Sequence, residues 1–228
     1  TFEGEIYRQV DDLIHEVKDA LDQAELSTTK NSSGYALSQV TGKDGSFDLT
    51  PLFVGSQGTL GVVTTAQLQS SVHNTNSSMV MVGLTKLDDL SELNLSTLGL
   101  TPSAIELVDK NLLNEVHRLQ PNQLKGLVDE PYPNFVLIVE FDDAKDRDRE
   151  RKVKRFKRLA EDAGATILRE TSDPEERSNI WKVRNSAAIV MGEIHKGKAA
   201  VPLIEDGCVP PENFTKLISG TYTLFNKY

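Results

Sequence analysis

The stretch that most limits what this chain can fold into is NFVLIVEFD, residues 134–142. Its length and its β-branched and aromatic content read as a strand. A helix pattern over 143–163 follows at once and stops at Gly164. Three more short apolar runs share the region: MVMVGL (79–84), SAIELVD (103–109) and ATILRET (165–171). Helical stretches alternate with them, KNLLNEVHRL (110–119) among them. Residues 173–192 open with Asp-Pro, an N-cap followed by proline at the first helical position, and close at Gly192. Residues 198–210 read as strand then turn, and 211–228 as a further helix. The order β-α-β-β-α-β predicts an α+β, ferredoxin-like antiparallel sheet with helices on one face.

The first third of the chain is different. Residues 5–24 place Ile6, Val10, Leu13, Ile14, Val17 and Leu21 at amphipathic-helix spacing. Residues 28–50 are polar and read as loop, with GKDG (42–45) as a turn. The polar, aperiodic VHNTNSS sets a boundary near residue 72 and gives two domains, 1–71 and 72–228. The chain begins without Met and stops inside a helical pattern, so it is expected to be an internal piece of a longer protein.

Composition excludes several classes. A net charge of −9 disfavours nucleic-acid binding. The basic run over 145–158 alternates with acids in its first half and reads as a solvated helix face. The single cysteine, Cys208, rules out a disulfide framework or a thiolate metal cluster within the chain. It reads as a small residue at a packed position. No apolar stretch nears the roughly 20 residues of a membrane helix. A reducing, cytoplasmic setting is expected, with membrane association only through a redox partner.

LFVGSQGTLGVVTTAQL (52–68) carries Gly55, Gly58 and Gly61 at every third position. Glycine lets a backbone approach a ligand closely, and successive amides in such a turn can converge on an anion. The spacing matches neither the dinucleotide fingerprint nor a P-loop. From these residues alone an ordinary turn and a phosphate site both stay open. The residues from Leu60 to Gln69 read as a strand.

Taken with its neighbours the stretch resembles a known family. NSSGY (31–35), LFVGSQGTLGVVT (52–64), PSAIELVD (102–109), IWKVRNSAA (180–188) and IEDGCVPPENF (204–214) occur in the order seen in the FAD-linked oxidases of the vanillyl-alcohol oxidase type. The likeness is to the glycolate oxidase and D-lactate dehydrogenase branch. It departs at Gln57, where glutamate is usual, and at 38–47, which looks inserted. The resemblance implies the end of an FAD-binding domain followed by a substrate or cap domain. It implies FAD contacts at Gly55, Ser56, Gly58, Thr59, Gly61 and Val62, with Asn31, Gly34 and Tyr35 nearby. It further implies hydride transfer from a 2-hydroxy acid such as D-lactate or glycolate, an electron acceptor left unidentified, and in one branch an iron–sulfur extension. The family's first flavin loop and its His-Ala-Gly-Asp-Gly-Asn stretch are not in the chain, so the piece alone is expected to be inactive and to hold FAD poorly.

The resemblance makes Arg184 the residue that binds the substrate carboxylate. Trp181 and Arg184 are three apart on the expected helix and share a face. The plainer reading pairs Arg184 with Glu176 or Glu193. Relatives carry a threonine four residues on and a later lysine; Ala188 and the region of Ile204 stand in those places here. His73, His117 and His195 have no partner at ligand spacing, and no metal site is expected. Glu205 and Asp206 read as turn residues before Gly207. No catalytic base stands out. The rival reading is a non-catalytic α+β module for ligand binding or assembly.

Overall fold

The computed structural model describes residues 1–24, 28, 33–71, 74–192, 194–195, 198–199 and 207–228. The chain divides into two compact units, 1–70 with 208–210, and 71–207 with 211–228.

The first unit opens with α1 (Phe2–Glu16), capped by the Thr1 hydroxyl accepting from the Gly4 amide at 3.2 Å. α2 (Lys18–Gln23) follows after a break at Val17, so the single helix expected over 5–24 is two. Next comes the turn at 42–45, closed by the Gly42 amide donating to the Ser46 carbonyl at 2.8 Å. The Asp44 carboxylate accepts from the Ser46 hydroxyl at 2.6 Å and from its amide at 3.0 Å. These bonds, the hydroxyl's first, hold the Asp44 carboxyl below its usual range. α3 (Thr50–Phe53) carries Pro51 in its first turn and is steadied by Asp48 accepting from the Thr50 amide at 2.9 Å. The expected strand from Leu60 to Gln69 does not form: 61–70 have no regular structure and are exposed. A lone extended segment leaves its amides and carbonyls unpaired, and no described segment lies beside it to form a ladder.

The second unit runs β1 (Ser78–Leu84), α4 (Leu87–Leu98), β2 (Ala104–Asp109), α5 (Lys110–Leu119), β3 (Phe135–Phe141), α6 (Asp146–Asp162), β4 (Thr166–Thr171), α7 (Pro174–Asn185), α8 (Ala187–Met191), β5 (Ile194–His195), β6 (Lys198–Ala199) and α9 (Phe214–Lys227). The four long strands form one antiparallel sheet in the order β2-β3-β1-β4. That is the ferredoxin-like order, elaborated by α5 between β2 and β3.

Helices cover both faces of this sheet, which corrects the one-face expectation. β1 and β3 are apolar on both sides, so each face needs a cover. On one side Met79, Met81, Val136 and Ile138 pack with Leu113 and Val116 of α5 and Ile180 and Val183 of α7. On the other Val80, Val82, Leu137, Val139 and Phe141 pack with Leu90 and Leu93 of α4 and Val153, Phe156 and Ala160 of α6. The helix expected over 173–192 breaks at Ser186, which is buried and whose hydroxyl turns back to the Val183 carbonyl. Of the expected strand and turn over 198–210, only β6, which pairs with β5, and residues 207–210 lie among the described residues.

Candidate functional site

In the first unit the glycine stretch forms an exposed loop after α3. Gly55 (φ 79°) and Gly58 (φ 76°) sit in the left-handed region, and Gln57 (φ 53°) joins them. Glycine is at home there because it lacks the Cβ that crowds the following carbonyl. A Cβ on Gly55 or Gly58 would meet nothing within 4 Å, so backbone conformation and not crowding requires glycine. The Thr59 amide donates to the Ser56 carbonyl at 3.0 Å, and the Thr59 hydroxyl donates to the same carbonyl at 2.6 Å. With its proton so used, Thr59 Oγ1 accepts from the Tyr35 hydroxyl at 2.7 Å.

Tyr35, Ser56 and Thr59 are thus brought together across 24 residues of sequence. Gly34, at φ 69°, turns the chain into Tyr35. Asn31 lies outside the described residues. Ser56 is buried, whereas Val62 is 92% exposed. The amides of Gly58, Gly61 and Val62 have no acceptor among the described residues. Free amides on a loop open to solvent suit a group rich in acceptor atoms, as a flavin and its pyrophosphate are.

In the second unit α7 carries the candidate substrate residue. Asp173 caps the helix, accepting from the Glu176 amide at 2.9 Å, and Ile180 and Val183 seat it on the sheet. Arg184 lies on the flank of that seat. Its Nε donates to Glu106 Oε2 on β2 at 3.0 Å. Neither expected partner takes it: Glu176 lies 3.9 Å from Arg169, and Glu193 is outside the described residues. Among the described residues Glu106 is the ion-pair partner of the Arg184 guanidinium, and no hydrogen bond from Nη1 or Nη2 is found. Trp181 packs partly buried against the adjoining core.

Sequence reasoning missed Arg177, one heptad before Arg184. Its guanidinium donates to the Ser77 hydroxyl and, at 3.0 Å, to the Thr75 carbonyl, and lies 3.6 Å from Glu140. It borders a polar cleft of about 350 Å³ shared with Ser103 and Asp142. Its contacts fasten residues 75–77 to the sheet, so it has no free Nη fork to offer a ligand. The i, i+7 spacing to Arg184 was the available signal.

His117 is not isolated. Its Nδ1 bonds the Tyr132 hydroxyl at 2.8 Å, and burial, ahead of Glu130 and Asp129, pushes the Tyr132 hydroxyl pKa up. No group of three or more His, Cys, Asp or Glu gathers at metal-binding distance among the described residues. Cys208 is exposed, which corrects its reading as a packed residue: it lies in an irregular segment, 207–210, with no helix or strand to seat it. His73, Ile204, Glu205 and Asp206 lie outside the described residues. No described helix is long and apolar enough to cross a membrane.

Four similarities to known proteins bear on this chain. A family model described as FAD linked oxidases, C-terminal domain, matches residues 74–228. A mitochondrial D-lactate dehydrogenase [cytochrome] of Arabidopsis thaliana is 26% identical over 175 residues, 76% of this chain and 29% of the relative. The mitochondrial D-lactate dehydrogenase [cytochrome] 1 of Saccharomyces cerevisiae is 25% identical, over 77% of this chain and 30% of its own length. A D-2-hydroxyglutarate dehydrogenase of Pseudomonas putida is 23% identical over 99% of this chain and 23% of its own length. The chain spans less than a third of the length of each of these three relatives. The cytoplasmic expectation is corrected by these findings, since the plant and yeast relatives are mitochondrial proteins. A low cysteine count reports on disulfide use and does not tell one reducing compartment from another.

Proposed function

Because the chain belongs to the FAD-linked oxidases, with residues 74–228 matching their C-terminal domain, we propose that it serves an FAD-dependent dehydrogenase of a 2-hydroxy acid. D-lactate, glycolate and D-2-hydroxyglutarate are the candidate substrates; the first and last are named in the relatives. Residues 1–71 act as the closing part of the FAD-binding domain and 72–228 as the substrate domain. FAD, when bound, supplies the acceptor for the hydride that leaves the substrate's α-carbon.

The chain's own residues do two things in this reading. The loop of Gly55, Ser56, Gly58, Thr59, Gly61 and Val62, braced by Tyr35, lies against the flavin and offers it the amides of Gly58, Gly61 and Val62; Gly34 and Asn31 complete the proposed contacts. Arg184 holds the substrate carboxylate. A guanidinium fork matches the two oxygens of a carboxylate and supports two parallel charge-assisted hydrogen bonds. The observation that carries the proposal is that Arg184, set on a capped, core-seated helix, hydrogen-bonds through Nε, with no hydrogen bond from Nη1 or Nη2 among the described residues.

The test is Arg184→Ala in the full-length protein, assayed with each 2-hydroxy acid and an artificial electron acceptor. Loss of the pair is expected to lower kcat/KM by about 2–4 kcal/mol, roughly 30- to 1,000-fold, chiefly through KM. Unchanged kinetics would remove Arg184 from the site. A full-length protein without flavin absorbance would favour a non-catalytic module.

A further inference from the structure

We propose that Glu106 is a positioning residue that pre-sets the guanidinium of Arg184 for the substrate carboxylate; this rests on the reading of Arg184 as the carboxylate clamp. An arginine side chain has several rotatable bonds, and a free one must be ordered when its ligand arrives. Here one bond does the ordering beforehand. Glu106 Oε2 accepts from Nε alone, at 3.0 Å, on the flank of the guanidinium plane. That contact fixes the plane and leaves the end-on edge, Nη1 with Nη2, for a second carboxylate.

Glu106 is suited to this by its place in the fold. It lies mid-strand in β2, directly opposite Ile138 of β3, and Ile138 belongs to the core cluster that seats α7. The carboxylate therefore projects from a sheet position and not from a loop, and both ends of the Glu106–Arg184 bond start from backbone held by the same core. Arg177 shows the contrasting arrangement on the same helix: its Nη groups are taken by Ser77 and Thr75, and it lies beside Glu140. Of the two, only Arg184 has Nη groups without a hydrogen bond among the described residues.

Glu106 has a second, opposite effect, because its negative charge repels the incoming carboxylate. The side chains of Arg184 and Glu106 are 48% and 30% exposed, so water screens that repulsion, and the orienting bond prevails. The two effects predict opposite signs. With orientation dominant, Glu106→Ala raises the KM for the hydroxy acid about 3- to 10-fold while kcat stays within about twofold. Glu106→Gln, which keeps an amide oxygen able to accept from Nε, stays close to the parent.

The experiment measures KM and kcat for Glu106→Ala, Glu106→Gln, Arg184→Ala and the Glu106→Ala/Arg184→Ala double variant in the full-length flavoprotein. The expected pattern is a raised KM in Glu106→Ala, rescue in Glu106→Gln, and no added effect of Glu106→Ala once Arg184 is gone. A KM that falls in both Glu106 variants overturns the proposal in favour of charge repulsion. An unchanged KM in Glu106→Ala beside a large rise in Arg184→Ala overturns it and leaves the clamp standing. An unchanged KM in Arg184→Ala overturns the clamp itself. Equal loss of kcat in Glu106→Ala and Glu106→Gln assigns Glu106 to folding and also overturns the proposal.

Discussion

The two units of this chain are held by different physics. The 71–207 unit is built around a sheet whose central strand β1 is buried along its whole length, with apolar helices on either side. The 1–70 unit buries only Val40 and Leu52 among its described hydrophobic residues, while Val54, Val62 and Leu68 are 74%, 92% and 86% exposed. Its order comes from side-chain hydrogen bonds: Asp44 with Ser46, Asp48 with Thr50, and Tyr35 through Thr59 to Ser56. Core packing can hold a side chain such as Arg184 at a set place. Turn chemistry holds a backbone open, with its amides facing outward. The two candidate ligand contacts divide along the same line.

The largest expected effect tests that contrast directly. Phe156 is fully buried between α6 and the sheet, against Phe141. Phe156→Ala should cost about 3–5 kcal/mol, from lost transfer energy and the cavity left behind. Trp181, the one tryptophan, reports this unit in a urea titration. Leu52→Ala, in a unit with almost no core, should shift the same fluorescence transition by less than about 1 kcal/mol. Equal shifts would mean that the two units are not separately held.

The same contrast explains what the sequence disclosed. Strands β1 to β4 were legible because apolar runs such as MVMVGL and NFVLIVEFD can be satisfied only in a covered sheet. The order of the elements then gave the ferredoxin-like topology. Two-sided cover was overlooked although the runs are apolar at consecutive positions, which is itself the mark of burial on both faces. The strand expected after Gly61 failed because Val62 and Val63 carry strand propensity without a partner, and propensity supplies no ladder. Arg184 was picked by resemblance, yet its partner Glu106, 78 residues earlier, was not, since spacing along one helix cannot report a contact with a strand.

A middle-sized effect separates α9 from the sheet it is tied to. The Tyr222 hydroxyl donates to Asp109 Oδ2 at 2.6 Å, and Asp109 also caps α5 by accepting from the Leu112 amide at 2.8 Å. Burial first, and this hydrogen bond second, push the Tyr222 pKa from 10.0 to about 12. A folded-state pKa raised above the unfolded one means that the folded state keeps the proton longer. The associated stability is complete below pH 10 and is lost as pH rises from 10 toward 12. Tyr222→Phe should cost about 1 kcal/mol at pH 8 and flatten that alkaline decline, measured by urea titration across pH 8–12. A decline of unchanged steepness would place its cause elsewhere.

The smallest effect lies in the glycine loop, where sign matters more than size. Gly58→Ala meets open space but must adopt φ 76°, so it should cost the loop about 1 kcal/mol. Gln57→Gly removes a side chain already strained at φ 53°, yet it frees the unfolded chain as well. Those two terms are similar in size, and the net change should be within about 0.5 kcal/mol of zero. Neither variant should move the Trp181 transition, because both act in the unit that buries only Val40 and Leu52 among its described hydrophobic residues. Their readout is the rate of proteolysis at residues 55–62 and, in the full-length protein, flavin retention on gel filtration. Gly58→Ala should cleave faster and lose flavin, while Gln57→Gly should do neither. If Gly58→Ala leaves both unchanged, the left-handed turn is not what shapes the amide surface, and the loop's role passes to the Tyr35–Thr59–Ser56 bracing that lies beside it.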